Sequence, residues 1–461
     1  MSAEAGRSNV RGLAWMFGGR GLLTVSQVAA IMVLARLLNR EEFGAATAVL
    51  LLAQLSCWVA TCGLGPALVQ RPEIEPRHVS TALVVAMGGG LATGVVLVAA
   101  RPLLAWFFNL GEYQGLLFWL VALCPLAALQ QVTYSLMQRA QRFQWISVTE
   151  TLSFAGGYTA LSIVLALAGA GPLALVLGQM ATYAGMVTSY WIGLRPPFPG
   201  RPGSRAFREL ARTGLGFGLA ELVGWSAQNV DKFLVGRLLG LSALGVYSRA
   251  FAVLQSLTNL LTYPLDSVLF PAFSRVQDQP ERLRSLFIRS NLLVIVLCLP
   301  PAILLVLAPE AVVLVLLGAE WIEAAPVLRV FGAFLLFRVN YRVTDFVLRA
   351  RGMVYQRFWI IVAFCVLAAA LTAVGSMWGL TGVAFGMSGC FLFTFLALAW
   401  LALPQVRLGW GDYLALFAAP VLLGAVVVAA GWWPVAEGMA GWPALVRAVV
   451  VGLGSLGLTA A

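Results

Sequence analysis

The stretch RLLNREEFG at residues 36–44 is echoed by RLLGLSALG at residues 237–245. Aligning the chain at this offset also pairs Gln27 with Gln228. Further echoes follow in the same order: QRFQWI (141–146) resembles YQRFWI (355–360), and GPLALVLGQ (171–179) matches GLTGVAFGM (379–387). Because the order is preserved, the first part of the chain is repeated in the second.

The composition indicates a membrane protein. Of the 461 residues, 61% are hydrophobic and only 11% are charged, whereas soluble domains carry about 25% charged residues. Apolar runs of about 20 residues, the length of a membrane-crossing helix, recur from end to end. We expect an all-α polytopic membrane protein with about fourteen transmembrane helices. The predicted spans lie near residues 12–37, 44–66, 79–100, 114–137, 146–168, 171–193, 210–236, 244–270, 287–308, 323–348, 356–376, 379–402, 411–430 and 442–461.

The echoes make helices 1–6 and 7–12 repeats of each other. Since six is an even number, both halves enter the membrane from the same side, which is a parallel repeat. We expect two six-helix lobes around a central cavity, plus two extra C-terminal helices. The predicted segments are an N-lobe (1–194), a cytoplasmic linker (195–208), a C-lobe (209–402) and helices 13 and 14 (403–461). Paired lobes of this kind are typical of alternating-access transporters.

The net charge of +11 comes almost wholly from arginine, and Lys232 is the only lysine. In a soluble protein this charge would suggest a nucleic-acid partner. Here the arginines concentrate in alternate loops, as the positive-inside rule predicts for cytoplasmic loops. We therefore expect no nucleic-acid partner, and both termini in the cytoplasm.

Four predicted helices carry columns of polar side chains, although a charge in mid-membrane costs roughly 2.5–3.5 kcal/mol. On helix 7 these are Glu221, Gly224, Gln228 and Asp231, on one helical face. The columns on helices 1, 2 and 8 are Arg20, Thr24 and Gln27; Thr47, Gln54 and Thr61; and Arg249, Ser256, Asn259, Tyr263 and Asp266. The repeat makes these helices equivalent in pairs, so we expect one shared cavity. Uncharged members are more often contacts between helices; Arg20, Glu221, Asp231 and Arg249 favour a functional role.

Two details of the charged residues lead to expectations about partners. Asp231 and Lys232 project about 100° apart, so we expect them to serve different neighbours. Helix 10 carries Arg338, Arg342, Asp345 and Arg349 in one column. By helical rise Arg338 lies about 16 Å deeper than Arg349, too deep to reach the headgroups. It needs either a carboxylate from another helix, with Glu150 one candidate, or water. Arginine columns favour anionic cargo, because a guanidinium binds phosphate through two parallel hydrogen bonds.

Several chemistries have no motif in the chain. There is no GxxxxGK[ST] loop for ATP, no HExxH and no GxSxG. The single histidine, His78, falls in a cytoplasmic loop, where we expect it to be solvated. We therefore expect no enzyme activity, no metal site and no cofactor. Transport would draw on a gradient of cargo or of a coupled H⁺ or Na⁺, with Glu221, Asp231, Asp266 and Asp345 as ion-coupling candidates.

Four segments resemble bacterial polysaccharide transporters. They are GLGPALVQRPEIEPRHVSTAL (63–83), NVDKFLVGRLLGLSALGVYSRAF (229–251), FPAFSRVQDQPERLRS (270–285) and LLGAEWIEAAPVLRVFG (316–332). The resemblance is to the Wzx-type flippases of the multidrug/oligosaccharidyl-lipid/polysaccharide superfamily and runs from about residue 10 to about residue 400.

The resemblance implies a V-shaped pair of bundles in the bacterial inner membrane. It implies translocation of an undecaprenyl-pyrophosphate-linked oligosaccharide from the cytoplasmic to the periplasmic leaflet, with membrane lipids, a polysaccharide polymerase and chain-length machinery as partners. On this reading Arg20, Lys232 and Arg249 hold pyrophosphate or acidic sugar, and Gln27, Gln228 and Tyr263 contact the glycan. The full set of expected cavity residues is Arg20, Gln27, Gln54, Gln228, Lys232, Arg249, Asn259, Tyr263, Arg338 and Arg342.

Other functions stay open at this point. A lipid II flippase of the same superfamily also fits fourteen helices. A drug/cation antiporter is disfavoured by the intramembrane arginines, and a major-facilitator carrier by the loop QRPEIEPRHVS (70–80), which lacks that group's signature. A polymerase or scaffold would need a larger outer loop than the chain provides.

Overall fold

The computed structural model describes residues 21–194, 200–418, 420 and 422. Every regular element in these residues is helical, which confirms the predicted all-α class for this part of the chain. The first helices are α1 (Gly21–Leu37), α2 (Arg40–Thr61), α3 (Leu64–Gln70), α4 (Pro76–Ala99), α5 (Arg101–Phe108), α6 (Leu120–Arg139), α7 (Phe143–Ser153), α8 (Ser162–Leu167) and α9 (Leu173–Leu194). The later ones are α10 (Ser204–Leu238), α11 (Gly240–Val276), α12 (Pro280–Leu307), α13 (Pro309–Leu316), α14 (Ala324–Ala350), α15 (Val354–Gly375), α16 (Gly379–Ala402) and α17 (410–418).

Shorter helical pieces interrupt or join these elements. A π-helix links α7 to α8, and 3₁₀ turns precede α6, α14 and α16 and follow α16. The pieces are Phe154–Leu161 (π), and Gly111–Trp119, Ala319–Trp321, Ser376–Trp378 and Leu403–Val406 (3₁₀).

Seven helical stretches in the described residues are long and apolar enough to cross a membrane. They are Arg40–Thr61, Pro76–Ala99, Gly111–Arg139, Phe143–Leu167, Pro280–Leu307, Ala324–Ala350 and Val354–Val406. Each predicted span from 44–66 to 379–402 lies largely on one helix or on consecutive helical pieces; 44–66 crosses from α2 into α3, and 146–168 covers α7, the π-helix and α8. The predicted spans 12–37 and 411–430 are only partly described, and 442–461 lies outside the described residues.

The opening echo has a structural counterpart. Both copies form a tight turn between consecutive helices, the first joining α1 to α2 and the second α10 to α11. The two turns pack on each other through their equivalent glycines. A Cβ at Gly44 would meet the backbone of Leu241, and a Cβ at Gly245 would meet the backbone oxygen of Arg40. Only glycine allows so close an approach of two backbones.

The chain divides into two compact units, one extending to Asn229 and including Gly240–Gly245, the other holding Val230–Leu239 and the described residues from Val246 onward. The division falls inside α10. The expected lobe boundaries at residues 194, 209 and 402 stay a prediction, because compactness does not show which helices move together.

The core of the first unit is rich in alanine. Ala60, Ala67, Ala82, Ala86 and Ala128 are buried where α2, α3, α4 and α6 pack together. Small side chains let helices in a membrane approach closely and gain dispersion contacts. In the second unit α14 packs against both α12 and α16, so its side chains lie at the centre of that unit.

Candidate functional site

Asp231 lies on the last part of α10 and is completely buried in the second unit. The Tyr247 hydroxyl, on α11 and also completely buried, donates a hydrogen bond to its Oδ2 at 2.7 Å. A buried carboxylate needs such a partner because desolvation penalises its charge. Within the described residues, the other oxygen, Oδ1, is buried without a hydrogen-bond donor.

Lys232 serves a different neighbour from Asp231, as the 100° angle between them predicts. Its ammonium lies over the ring of Phe251, 4.8 Å from the ring centroid. This is a cation–π contact, which is stronger where water is excluded. Its Coulomb interactions include Asp231, Arg338 and Arg249.

Arg338 is held by uncharged groups. Its Nη2 donates to Gln255 Oε1 at 2.6 Å, and its Nε donates to Thr258 Oγ1 at 3.3 Å. The guanidinium also lies over two rings, 5.0 Å from the centroid of Phe251 and 4.4 Å from that of Phe391. Sequence reasoning expected a carboxylate from another helix or water beside Arg338, whereas these contacts are with uncharged side chains. An amide, a hydroxyl and two aromatic faces therefore surround the guanidinium.

These residues form one cationic cluster in the second unit: Lys232, Arg249 and Arg338, with the carboxylate of Asp231. Lys232 interacts electrostatically with each of the other three residues. Lys232 and Arg338 share the ring of Phe251, so cationic side chains are concentrated in a buried region where charge is costly. The arrangement therefore suits an anionic group.

The remaining charges of the helix 10 column are paired with carboxylates. Arg342 Nη1 lies 2.7 Å from Asp266 Oδ2. Asp345 accepts from Arg349 at 2.9 Å and from Arg357 at 2.5 Å. Asp266 and Asp345 are thus engaged by guanidinium groups, which disfavours them as ion-coupling sites compared with Asp231 and Glu221.

In the first unit, two predicted cavity residues are exposed in the middle of helices. Gln54 accepts a hydrogen bond from Trp225 Nε1 at 3.2 Å, and Gln228 donates to the carbonyl of Gly224 at 3.3 Å. Glu221 is half-buried. Exposed polar groups on a membrane helix face water or protein in preference to lipid.

The other predicted residues are placed as follows. Gln27 is half-buried on α1, and Asn259 accepts a hydrogen bond from Gln255 at 2.8 Å. Arg20 lies outside the described residues, and so does the side chain of Tyr263. Within the described residues, no group of three or more His, Cys, Asp and Glu is arranged to hold a metal ion.

The expectation that His78 is solvated was wrong, because only 2% of the residue is exposed. Its Nδ1 accepts the backbone N–H of Glu75 at 3.1 Å. The proton of the neutral ring is therefore on Nε2, which lies 3.0 Å from Glu209 Oε2 and donates to it. The ring caps the start of α4 and ties it to α10.

Glu209 lies near the start of α10, just before the predicted span 210–236, and accepts contacts from three donors. Arg71 lies 2.8 Å from Oε2 and Arg205 lies 3.1 Å from Oε1. The hydrogen bond from His78 is the largest cause of a pKa lowered from 4.5 to about 2; partial burial opposes it, and Arg71 and Arg205 add to it. The charged Glu209 carboxylate therefore joins Arg71, His78 and Arg205 at this end of the first unit.

Sequence reasoning missed several contacts of the cationic cluster. Gln255 has a weak signal, since it precedes Asn259 by one helical turn on the same face of α11. Phe251 and Phe391 have none, because aromatic residues on apolar helices are usually core residues.

Comparisons with known proteins place the chain in a family. A profile of the family described as polysaccharide biosynthesis protein matches residues 33–326, well over half of the chain. The teichuronic acid biosynthesis protein TuaB of Bacillus subtilis is 24% identical over 76% of this chain and 72% of its own length. The succinoglycan biosynthesis transport protein ExoT of Rhizobium meliloti is 30% identical over 65% of this chain and 60% of its own. The lipopolysaccharide biosynthesis protein WzxC of Escherichia coli is 24% identical over 69% and 65%.

Solved structures show the same fold. The lipid II flippase MurJ in an inward closed conformation superposes with a TM-score of 0.74 at 14% identity, over 98% of both chains. An inward-facing multidrug resistance MATE family transporter of the MOP superfamily superposes with a TM-score of 0.63 at 16% identity, over 84% of this chain and 94% of its own. Together with the profile match, these findings show that the chain is a membrane protein of the polysaccharide biosynthesis protein family.

Proposed function

We propose that the chain is a flippase that moves undecaprenyl-pyrophosphate-linked oligosaccharide units from the cytoplasmic to the periplasmic leaflet of the inner membrane. The observation that carries the proposal is the concentration of buried cationic side chains around the ring of Phe251, in a chain of the polysaccharide biosynthesis family. A pyrophosphate is an anion that guanidinium and ammonium groups bind through charge-assisted hydrogen bonds. The relatives named for teichuronic acid, succinoglycan and lipopolysaccharide biosynthesis support a glycan cargo.

In this proposal Lys232 and Arg249 bind the pyrophosphate, as does Arg20. Arg338 is held by Gln255 and Thr258, so it adds charge from a fixed position. Gln54 and Gln228 offer amides to sugar hydroxyls, together with Gln27, Asn259 and Tyr263. The prenyl chain stays in the lipid, because burying it in a polar site gains nothing.

Transport proceeds by alternating access without ATP, driven by the cargo gradient or by coupled H⁺ or Na⁺. The fourteen-helix arrangement in two six-helix lobes, with both termini cytoplasmic, is part of this proposal. Asp231 and Glu221 are the favoured coupling sites, since Asp266 and Asp345 are engaged by arginines. A polysaccharide polymerase and chain-length machinery take over the product.

A lipid II flippase is the nearest alternative, because its cargo also carries a polyprenyl pyrophosphate. The fold likeness to MurJ, at 14% identity, supports the architecture and does not choose the cargo. The family match favours the polysaccharide role. A drug-cation antiporter fits least, since concentrated cationic side chains repel a cationic cargo.

The test is charge reversal within the cationic cluster. Arg249→Glu is expected to abolish export of surface polysaccharide while the protein remains inserted at normal abundance, and Arg249→Lys to keep a substantial part of it. Arg282→Glu, an exposed arginine at the start of α12, is the matched control and should export normally. Normal export by Arg249→Glu would remove the cluster from the substrate path.

Cargo is tested separately by complementation. We expect the wild-type gene to restore surface polysaccharide in a flippase-deficient host. We expect it to leave a host depleted of its lipid II flippase unable to grow. Growth of that host would instead assign the lipid II role.

A further inference from the structure

A groove runs along the outside of α7 and α9 in the first unit. It encloses about 450 Å³ and is lined by Gln144, Trp145, Val148, Thr149, Leu152 and Ser189, among others. This volume lies in the range of sites that hold a drug-sized molecule. Nothing in the proposed transport path uses it.

The floor of the groove is polar and its outer edge is apolar. Trp145 Nε1 donates to the carbonyl of Ser189 at 3.1 Å, and the hydroxyls of Ser189 and Thr149 are 2.7 Å apart. Val148 and Leu152, at 40% and 65% exposure, form the edge. Only 17% of the most apolar window of Phe143–Leu167 is buried inside the protein, so in a membrane protein this face meets lipid.

One end of the groove carries a positive charge. Arg142 precedes α7, and its guanidinium donates to the carbonyl of Gly193 in the last turn of α9. The same turn contacts the Trp145 ring, because a Cβ at Gly193 would meet that indole. Arg142 therefore lies at the mouth of the groove. It is exposed, and within the described residues no carboxylate forms an ion pair with it.

The repeat supplies an internal comparison. Arg357 is the counterpart of Arg142 in the echo QRF, and its charge is neutralised by Asp345 at 2.5 Å. In the first copy of the repeat, the guanidinium of Arg142 contacts the backbone carbonyl of Gly193 in place of a carboxylate. Among the described residues no carboxylate neutralises Arg142, so its positive charge suits an anionic group from outside the protein.

We propose that this groove binds an anionic phospholipid, with its phosphate on Arg142 and an acyl chain along Val148 and Leu152. The distance fits one leaflet: ten residues of helix from Arg142 to Leu152 rise about 15 Å, half of a hydrocarbon core of about 30 Å. The polar floor of Trp145, Thr149 and Ser189 meets the ester region between phosphate and chain. In the orientation that the arginine distribution predicts, the lipid belongs to the cytoplasmic leaflet.

The experiment is native mass spectrometry of the purified full-length protein with an equimolar mixture of phosphatidylglycerol and phosphatidylcholine. We expect phosphatidylglycerol to be retained preferentially. Arg142→Gln should lower its advantage over phosphatidylcholine about fivefold, the factor that one arginine contributes near an anionic surface, and Arg142→Lys should keep most of it. Val148→Trp, which fills the groove, should reduce retention of both lipids.

Two variants serve as controls. Arg282→Gln removes an exposed arginine elsewhere, and Val164→Trp adds the same bulk to a 61% exposed position outside the groove; neither should change lipid retention. The proposal fails if Arg142→Gln leaves the preference intact, or if Val148→Trp retains lipid like Val164→Trp. It also fails if undecaprenyl phosphate displaces phosphatidylglycerol at equal concentration, which would assign the groove to the carrier lipid.

Discussion

At the scale of single residues, Arg338 combines the contacts of a core residue with the charge of a site residue. Its removal leaves Gln255 Oε1 without its donor and opens space between two rings. We expect Arg338→Ala to lower the free energy of unfolding by about 2–4 kcal/mol, from a lost charged hydrogen bond and a desolvated cation–π contact. Thermal unfolding in detergent checks this, with the exposed Arg289→Ala as control. If Arg338→Ala unfolds like the control and yet stops export, Arg338 binds substrate instead.

The pair Asp266–Arg342 offers a sharper test, because two roles for Asp266 predict different outcomes. The pair is 2.7 Å apart and both side chains are partly exposed, so solvent keeps its contribution to about 1 kcal/mol or less. We expect Asp266→Arg to impair export through like-charge repulsion. Exchange of both residues, Asp266→Arg with Arg342→Asp, should restore export because the attraction is restored. An exchanged pair that stays inactive at normal abundance would instead support Asp266 as a coupling site.

At the scale of elements, the two copies of the opening echo are held together by glycine. We expect Gly44→Ala and Gly245→Ala each to destabilise the protein by about 1–3 kcal/mol, because the added Cβ meets backbone that cannot move aside. Gly88→Ala on α4 is the matched control, since nothing lies within 4 Å of its Cβ position. Melting temperatures of the three variants decide the question. Equal values would show that the two turns separate at little cost.

The contacts of Glu209 predict how local stability depends on pH. Its lowered pKa means that the stabilisation is fully present above about pH 4.5 and is lost as the pH falls towards about 2. We expect amide exchange around residues 71–78 and 204–210, corrected for intrinsic rates, to be constant from pH 7 to pH 5 and to rise below about pH 4.5. Glu209→Gln should show the raised exchange already at pH 7, whereas Glu73→Gln, in the loop between α3 and α4 and without an ion pair among the described residues, should not. Similar exchange in both variants would mean that the contacts of Glu209 do not stabilise this region.

Elements were more predictable than contacts. The apolar runs predicted helices at 44–66 through 379–402, because a bilayer leaves backbone groups no partner except the helix itself. The π-helix at Phe154–Leu161 and the short helices α5 and α13 have no such signature. Contacts failed for a different reason: whether His78 is buried depends on Glu209, which lies 131 residues away in the chain. The sequence shows that a charge needs a partner, but tertiary packing determines which residue that partner is.

At the scale of the whole molecule, the charges of the loops and the order of the helices must agree on one orientation. Arginines cluster near Gly203 and Gly352, whereas Glu112, Glu310 and Glu320 lie near Gly111 and Gly318. We expect alkaline phosphatase fused after Gly111 or Gly318 to be active in the periplasm, and after Gly203 or Gly352 to be inactive in the cytoplasm, since positive loops stay inside. The opposite pattern at all four sites would invert the predicted orientation. A pattern that agrees in the first half and inverts in the second would replace the parallel repeat with an inverted one, and would remove the reason for pairing helices 1 and 2 with helices 7 and 8.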